Sequence, residues 1–172
     1  GDHLTVWAGT QRPFGLRQEL ASIFGMAESQ VRVIAPEIGG GFGAKSPYGL
    51  AHDAARLAKI AGRPVRVAFT RQEETMWSNF RPAAIVQIKS GSTSDGRLVA
   101  WESVAYHSGD RVMIGRRGAE TPYDAPHVKS TVYRSDSPLP SGSYRSLGAA
   151  VNHFAREGHM DELAAAAGLD PV

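Results

Sequence analysis

Ile34-Ala-Pro-Glu-Ile-Gly39-Gly40-Gly41-Phe42-Gly43-Ala44-Lys45-Ser46 is the stretch with the most chemistry in it. From Gly39 to Gly43 every residue but Phe42 is glycine. Glycine loses more backbone entropy on folding than any other residue, so such a cluster marks left-handed backbone or a backbone pressed against a neighbour. An apolar run, Val31 to Ala35, precedes it, and a helical pattern, Tyr48 to Ala61, follows. A strand, a glycine loop and a helix in that order aim bare N–H groups at whatever lies above the loop, commonly an anion or an oxo group. Two further side chains suit the same task. Gln11, in Gly9-Thr-Gln-Arg-Pro13, is a neutral amide able to donate to an oxygen ligand. Arg145, in Tyr144-Arg-Ser146, offers a planar fork of donors to an anionic or carbonyl group. The plainer alternatives are a solvated loop amide, a surface charge and a structural turn.

The glycine loop also fits two phosphate motifs in part. Gly39-x-Gly41-x-x-Ala44 matches the dinucleotide pattern, yet Pro36-Glu-Ile38 separates the strand from the first glycine. Gly39 to Ser46 approaches a P-loop, but Ala44 stands where glycine precedes the lysine. A nucleotide-binding module using Gly39–Ser46 is therefore one alternative, and a non-catalytic structural or assembly domain another. His153 and His159 do not share a helix face, and His52-Asp53 has no partner histidine at metal spacing, so no direct metal ligand is assigned. No serine–histidine–acid set stands out. Trp77, Phe80 and Trp101 read as core or interface, and Glu157, Asp161 and Glu162 as a solvated face.

These loops need elements to hold them. The chain has 172 residues, 42% hydrophobic and 21% charged, with a net charge of +2 and no cysteine. Those values suit a globular protein, argue against nucleic-acid binding, and exclude disulfides and cysteine-ligated zinc or iron–sulfur clusters within this chain. No apolar run reaches membrane-spanning length. Strands are expected at Leu4–Ala8, Val31–Ala35, Val65–Phe69 and His127–Arg134. A hairpin is expected from Ala84–Ser90 and Arg97–His107, linked by Gly91-Ser-Thr-Ser-Asp-Gly96. Three main helices are expected. One follows Pro13 with Leu16, Leu20, Ile23 and Phe24 on its face and stops at Gly25. The second carries Leu50, Ala54, Leu57, Ala58 and Ala61, and the last runs from Val151 to Ala167. Thr70–Glu74 is a polar lead-in, Ser108–Pro126 mostly loop, and Ser137–Gly142 a rigid linker. The irregular alternation points to an α+β fold with mixed sheets.

Taken in series, the motifs resemble the molybdenum-cofactor subunit of the xanthine dehydrogenase and aldehyde oxidase family, in the branch of isoquinoline 1-oxidoreductase-type large subunits. The matching residues are Gly9-Thr-Gln-Arg-Pro-Phe14, Val31–Ile34, Gly39–Lys45, Ala54–Ala58, Gly62–Val65, Thr70–Glu74, Phe80–Pro82, Ser143-Tyr-Arg-Ser-Leu-Gly148, and Glu157–Leu163 through Pro171. The resemblance implies that Gln11 donates to the apical oxo ligand of molybdenum, and that Gly41, Phe42 and Gly43 line the metal. It implies that Arg145 and Ser146 face the substrate. It further implies a molybdenum–pterin cofactor, in plain or dinucleotide form, and oxidation of aldehydes or N-heterocycles with oxygen from water. Electrons would leave through iron–sulfur clusters on a partner subunit or domain. Ser46 replaces a glutamate found in many relatives, which speaks against a purine-type substrate. Ser146 replaces the cysteine of carbon monoxide-oxidising relatives, which excludes that activity. The family's glutamate base, in a Gly-x-Gly-Glu context, is expected beyond this sequence, so no catalytic residue is assigned within it. The expectation is a first portion of the cofactor subunit, inactive alone. Residues 1–136 would form the start of the cofactor domain, and 137–172 a substrate-side loop and helix leading onward into the rest of the subunit.

Overall fold

The computed structural model describes residues 2–45, 49–109 and 115–171, in two compact units divided at Ser78/Asn79. In the first unit, β1 (Leu4–Trp7) and β2 (Val31–Ile34) pair in parallel, Leu4 opposite Val31 and Trp7 opposite Ile34. A tight turn cannot join parallel strands. The crossover is α1 (Pro13–Phe24), begun by Pro13, whose missing N–H costs nothing at a helix start. It ends at Gly25, which takes a left-handed φ of 63°. Leu16 and Leu20 are fully buried, together with Val6, Val31 and Ala21. The expected stripe is thus rotated: Ala21 goes inward while Ile23 stays 41% exposed.

The face expected for α2 (Gly49–Ala61) is corrected by the structure. Ala51 and Ala55 are buried, whereas Leu50 and Leu57 are exposed. Small side chains let this helix approach β1 closely, and that outweighs the larger apolar stripe. Tyr48, the expected first residue, lies outside the described residues. The strand expected at Val65–Phe69 is also corrected: the segment has no regular structure. A β-rich composition forms a strand only where a neighbour presents backbone groups to pair with, and none does so here among the described residues. The polar lead-in becomes α3 (Arg71–Trp77). Thr70 caps it reciprocally with Glu73, whose carboxylate accepts from the Thr70 N–H at 2.7 Å.

In the second unit the hairpin forms as expected. β3 (Ala84–Ser92) and β4 (Leu98–Ser108) are antiparallel, with Ile88 opposite Ser103. β5 (His127–Ser135) adds to β4 in parallel, making the sheet mixed. Trp101, Ser103, Ala105 and His107 alternate along β4 and are all buried. α4 (Ala149–Ala167) packs on the β3 side and ends at Gly168, φ 68°. The expected linker is tied down: the Phe80 N–H donates to Pro140 O at 2.8 Å, and the Gly142 N–H to Phe80 O at 3.1 Å. The expected division at 136/137 thus runs through this second unit. No helix among the described residues is long and apolar enough to cross a membrane.

Polar contacts fix α4. Asn152 Nδ2 donates to the carbonyls of Gly115 (2.8 Å) and Arg117 (3.0 Å), and His159 Nε2 meets Ser90 Oγ at 2.8 Å. Glu157, expected to be merely solvated, accepts hydrogen bonds from the Tyr123 hydroxyl and from Arg156 Nε. The Tyr123 bond, then Arg156, holds the Glu157 carboxyl below its ordinary value, and the same bond raises Tyr123. A depressed carboxylate stabilises above the ordinary glutamate range and loses that effect as pH falls through its folded value. A raised tyrosine contributes until pH climbs through its own folded value. On acidification below the ordinary glutamate range, the thermal midpoint should fall more steeply in wild type than in Tyr123→Phe. Calorimetry across the acid range checks this.

Candidate functional site

Both strands of the parallel pair end on the same side, so the loop after β1 and the loop after β2 are neighbours. Clefts beyond the carboxyl ends of parallel strands are the usual ligand sites of such sheets. The Ala8 N–H donates to Ile34 O at 3.1 Å, extending the pairing to the brink of both loops. Beyond it, the Gln11 N–H donates to Lys45 O at 3.0 Å. Thr10, buried, turns the first loop by accepting from the Arg12 N–H at 3.0 Å.

Gln11 and the glycine cluster meet here. A methyl group at Gly41 would stand 2.6 Å from Gln11 Oε1 and 3.2 Å from Lys45 Cβ. A side chain at 41 would therefore displace the Gln11 amide, and the constraint there is close approach and not an unusual φ. At Gly9 the approach is milder: a methyl there would lie 3.2 Å from Lys45 Nζ. Lys45 lies across Gly9, between the loops, where a P-loop lysine would project to a phosphate. That geometry does not favour the nucleotide-binding alternative. Ser46, the last residue of that motif, lies outside the described residues.

Phe42 sits at the crest with a left-handed φ of 51° and 73% of its surface exposed. Its ring edge covers Gly40, where a methyl would come within 2.9 Å. Gly43 follows at φ 106°, and the Ala44 N–H closes the turn onto Gly41 O at 2.8 Å. Among the described residues, the N–H groups of Gly41, Phe42 and Gly43 donate to no backbone carbonyl. The first unit thus presents a neutral amide, free N–H donors and an exposed aromatic ring on one crest. Such a set suits an oxo or anionic group held against a flat organic body.

Arg145 and Ser146 belong to the second unit, on the exposed Tyr144–Leu147 turn just before α4. Ser146 and Leu147 are both left-handed, at φ 69° and 54°. The Leu147 N–H donates to Tyr144 O at 2.8 Å, and the Ala149 N–H to Ser146 O at 3.1 Å. Sequence reasoning missed the residue beneath this turn. Arg81 Nη2 donates to Arg145 O at 2.7 Å and Nη1 to Leu147 O at 3.1 Å. The Phe80-Arg-Pro82 motif was its one signal. Of the aromatic residues, Trp101 is core at 2% exposure, while Trp77 is 70% exposed. Among the described residues no cluster of His, Asp or Glu could hold a metal directly.

Comparison with known proteins bears on this crest. The family model described as "Molybdopterin cofactor-binding domain" matches residues 1–172. The chain is 32% identical to a nicotinate dehydrogenase subunit of Pseudomonas putida, over 98% of this chain and 16% of that protein. It superposes on quinoline 2-oxidoreductase from Pseudomonas putida 86 with a TM-score of 0.85 at 27% identity, covering 97% of this chain and 23% of that one. Aldehyde oxidoreductase from Desulfovibrio gigas gives a TM-score of 0.84, also at 27% identity, covering 97% of this chain and 19% of that one. The chain therefore spans less than a quarter of the length of each.

Gly41→Ala should force the Gln11 amide aside and cost about 1 kcal/mol or less, because the end of an exposed side chain can move where a packed core cannot. Gly49→Ala, where a methyl meets nothing within 4 Å, should be neutral or slightly stabilising. Urea unfolding of the two variants checks the difference.

Proposed function

The chain belongs to the molybdopterin cofactor-binding domain family, and on that premise we propose that it forms one wall of the molybdenum site of a larger hydroxylase. The observation that carries this is the Gln11 amide packed against Gly41, its Oε1 2.6 Å from where a methyl there would stand, which brings this side chain to a glycine turn whose N–H groups meet no backbone carbonyl among the described residues. The residues fit the cofactor. Gln11 and the N–H groups of Gly41, Phe42 and Gly43 would hold its oxo side, and the exposed Phe42 ring would cover its face and exclude water. The bound molybdenum–pterin group, plain or dinucleotide, supplies the oxygen-transfer and electron-accepting chemistry.

The part played by this chain's own groups is electrostatic. Fixed donors around an oxygen ligand stabilise negative charge as it builds there, without reorganising during reaction. Neutral donors suit the role, because a fixed full charge would favour one redox state throughout. Arg145 and Ser146 are assigned to the substrate side, where the guanidinium anchors a carbonyl or carboxylate. The base, the remaining cofactor contacts and the iron–sulfur relay are assigned to the rest of the subunit and to a partner subunit or domain. The substrate class is an aldehyde or N-heterocycle, oxidised with oxygen from water. In support, the similar proteins include a nicotinate dehydrogenase, a quinoline 2-oxidoreductase and an aldehyde oxidoreductase. No observation favours the assembly-domain alternative, since the donor crest is intact.

In the intact, molybdenum-loaded protein, Gln11→Ala should lower kcat on the order of 10²-fold with metal content unchanged, the loss expected for one preorganised donor. Steady-state assays with nicotinate, quinoline and benzaldehyde, with molybdenum measured in parallel, check this. Unchanged turnover in every assay would remove Gln11 from the site.

A further inference from the structure

We propose that Arg81 is the positioning residue of the substrate-side turn, holding Tyr144–Leu147 in the one conformation that presents Arg145 and Ser146. This rests on the assignment of that turn to the substrate side. Left-handed backbone is disfavoured for residues with a side chain, and two in succession persist only when the surroundings over-determine them. Ser146 and Leu147 are such a pair, at φ 69° and 54°. Their own local bonds, Leu147 N–H to Tyr144 O and Ala149 N–H to Ser146 O, are two contacts on an exposed turn.

Arg81 supplies what is missing. Its Nη2 donates to the Arg145 carbonyl at 2.7 Å and its Nη1 to the Leu147 carbonyl at 3.1 Å. These carbonyls flank Ser146, so one rigid guanidinium bridges the strained residue from both sides. The same guanidinium lies over the Tyr144 ring, 4.6 Å from its centroid. Arg81 is half-buried and has little freedom itself. Pro82, buried, follows it, and Phe80 before it is fastened to Pro140 and Gly142 by backbone hydrogen bonds. Gly142 in turn has no room for a side chain, because a methyl there would stand 2.6 Å from Asn79 Nδ2. The Asn79–Pro82 segment is thus a template on which the chain from Pro140 to Leu147 is laid. Arg81 aims two of its five N–H donors at backbone carbonyls of the turn, and it is through the turn that it acts. Lysine could not replace it, since a point charge cannot satisfy two carbonyls in a fixed fork while stacking on a ring.

The test uses the intact holoenzyme with Arg81→Lys, Arg145→Ala and Arg81→Gln. Arg81→Lys should keep its molybdenum. Its Leu147 and Ala149 amides should exchange faster, and KM for the best substrate among nicotinate, quinoline and benzaldehyde should rise on the order of tenfold or more, with a smaller change in kcat. Unchanged exchange together with unchanged KM would overturn the proposal. Exchange that quickens in Arg81→Lys while Arg145→Ala leaves KM untouched would uphold the positioning role and refute the substrate-side assignment. A KM that rises in Arg145→Ala but not in Arg81→Lys would do the reverse. Should Arg81→Lys fail to accumulate, Arg81→Gln, which cannot bridge both carbonyls in a fixed fork, takes its place. Faster exchange at Leu147 in that variant supports the proposal, and wild-type exchange there refutes it.

Discussion

Gly41 has no side chain, and the Gln11 amide occupies the space a methyl group would need. The donor crest of the first unit depends on that one close approach. The parallel pairing of β1 and β2 brings the two loops to the same end of the pair, and Leu16 and Leu20 fix α1 so that the first loop has a defined length. The final fit is local. The Gln11 N–H bonds to Lys45 O, Lys45 crosses Gly9, and Phe42 folds over Gly40. The glycines here serve two purposes. Gly9, Gly40 and Gly41 admit neighbouring side chains, whereas Gly39 and Gly43 supply left-handed backbone.

The second unit solves a different problem. Its exposed turn at Tyr144–Leu147 has no glycine at the left-handed positions, so rigidity must come from outside the turn. Arg81 provides it with two carbonyl bonds and a stacked ring. The mixed sheet and α4 form the frame for this. Trp101 packs edge-on to His159, and Asn152 satisfies two carbonyls of the segment that follows β4. Polar contacts carry much of the α4 docking, which is why its apolar residues, such as Phe154 at 83% exposure, do not describe its buried face.

Where local chemistry decides, the sequence was readable. Pro13 and Gly25 bound α1, and Gly168 ends α4, each by a mechanism that acts within a few residues, while the hairpin link shortens from the expected Gly91–Gly96 to 93–97 because Gly91 and Ser92 pair within β3. Where the outcome depends on a neighbour, it was not. The buried face of α2 follows Ala51 and Ala55 because close approach matters more there than side-chain size. Val65–Phe69 has β composition but no partner strand among the described residues. Thr70-x-x-Glu73 is a capping box, a start signal written within four residues. Gln11 and the glycine turn were each recognisable as donors, but their contact is set by the strand register. Arg81 lies 64 residues from the first carbonyl it binds, and no local pattern announces such a bond.

The most direct test is the molybdenum and pterin content of the native protein that contains this sequence, isolated intact from its own cells. Stoichiometric molybdenum and pterin is the expected result. A folded, intact protein holding neither molybdenum nor pterin would contradict the assignment of this crest to a molybdenum site. The shared fold would then reflect ancestry alone.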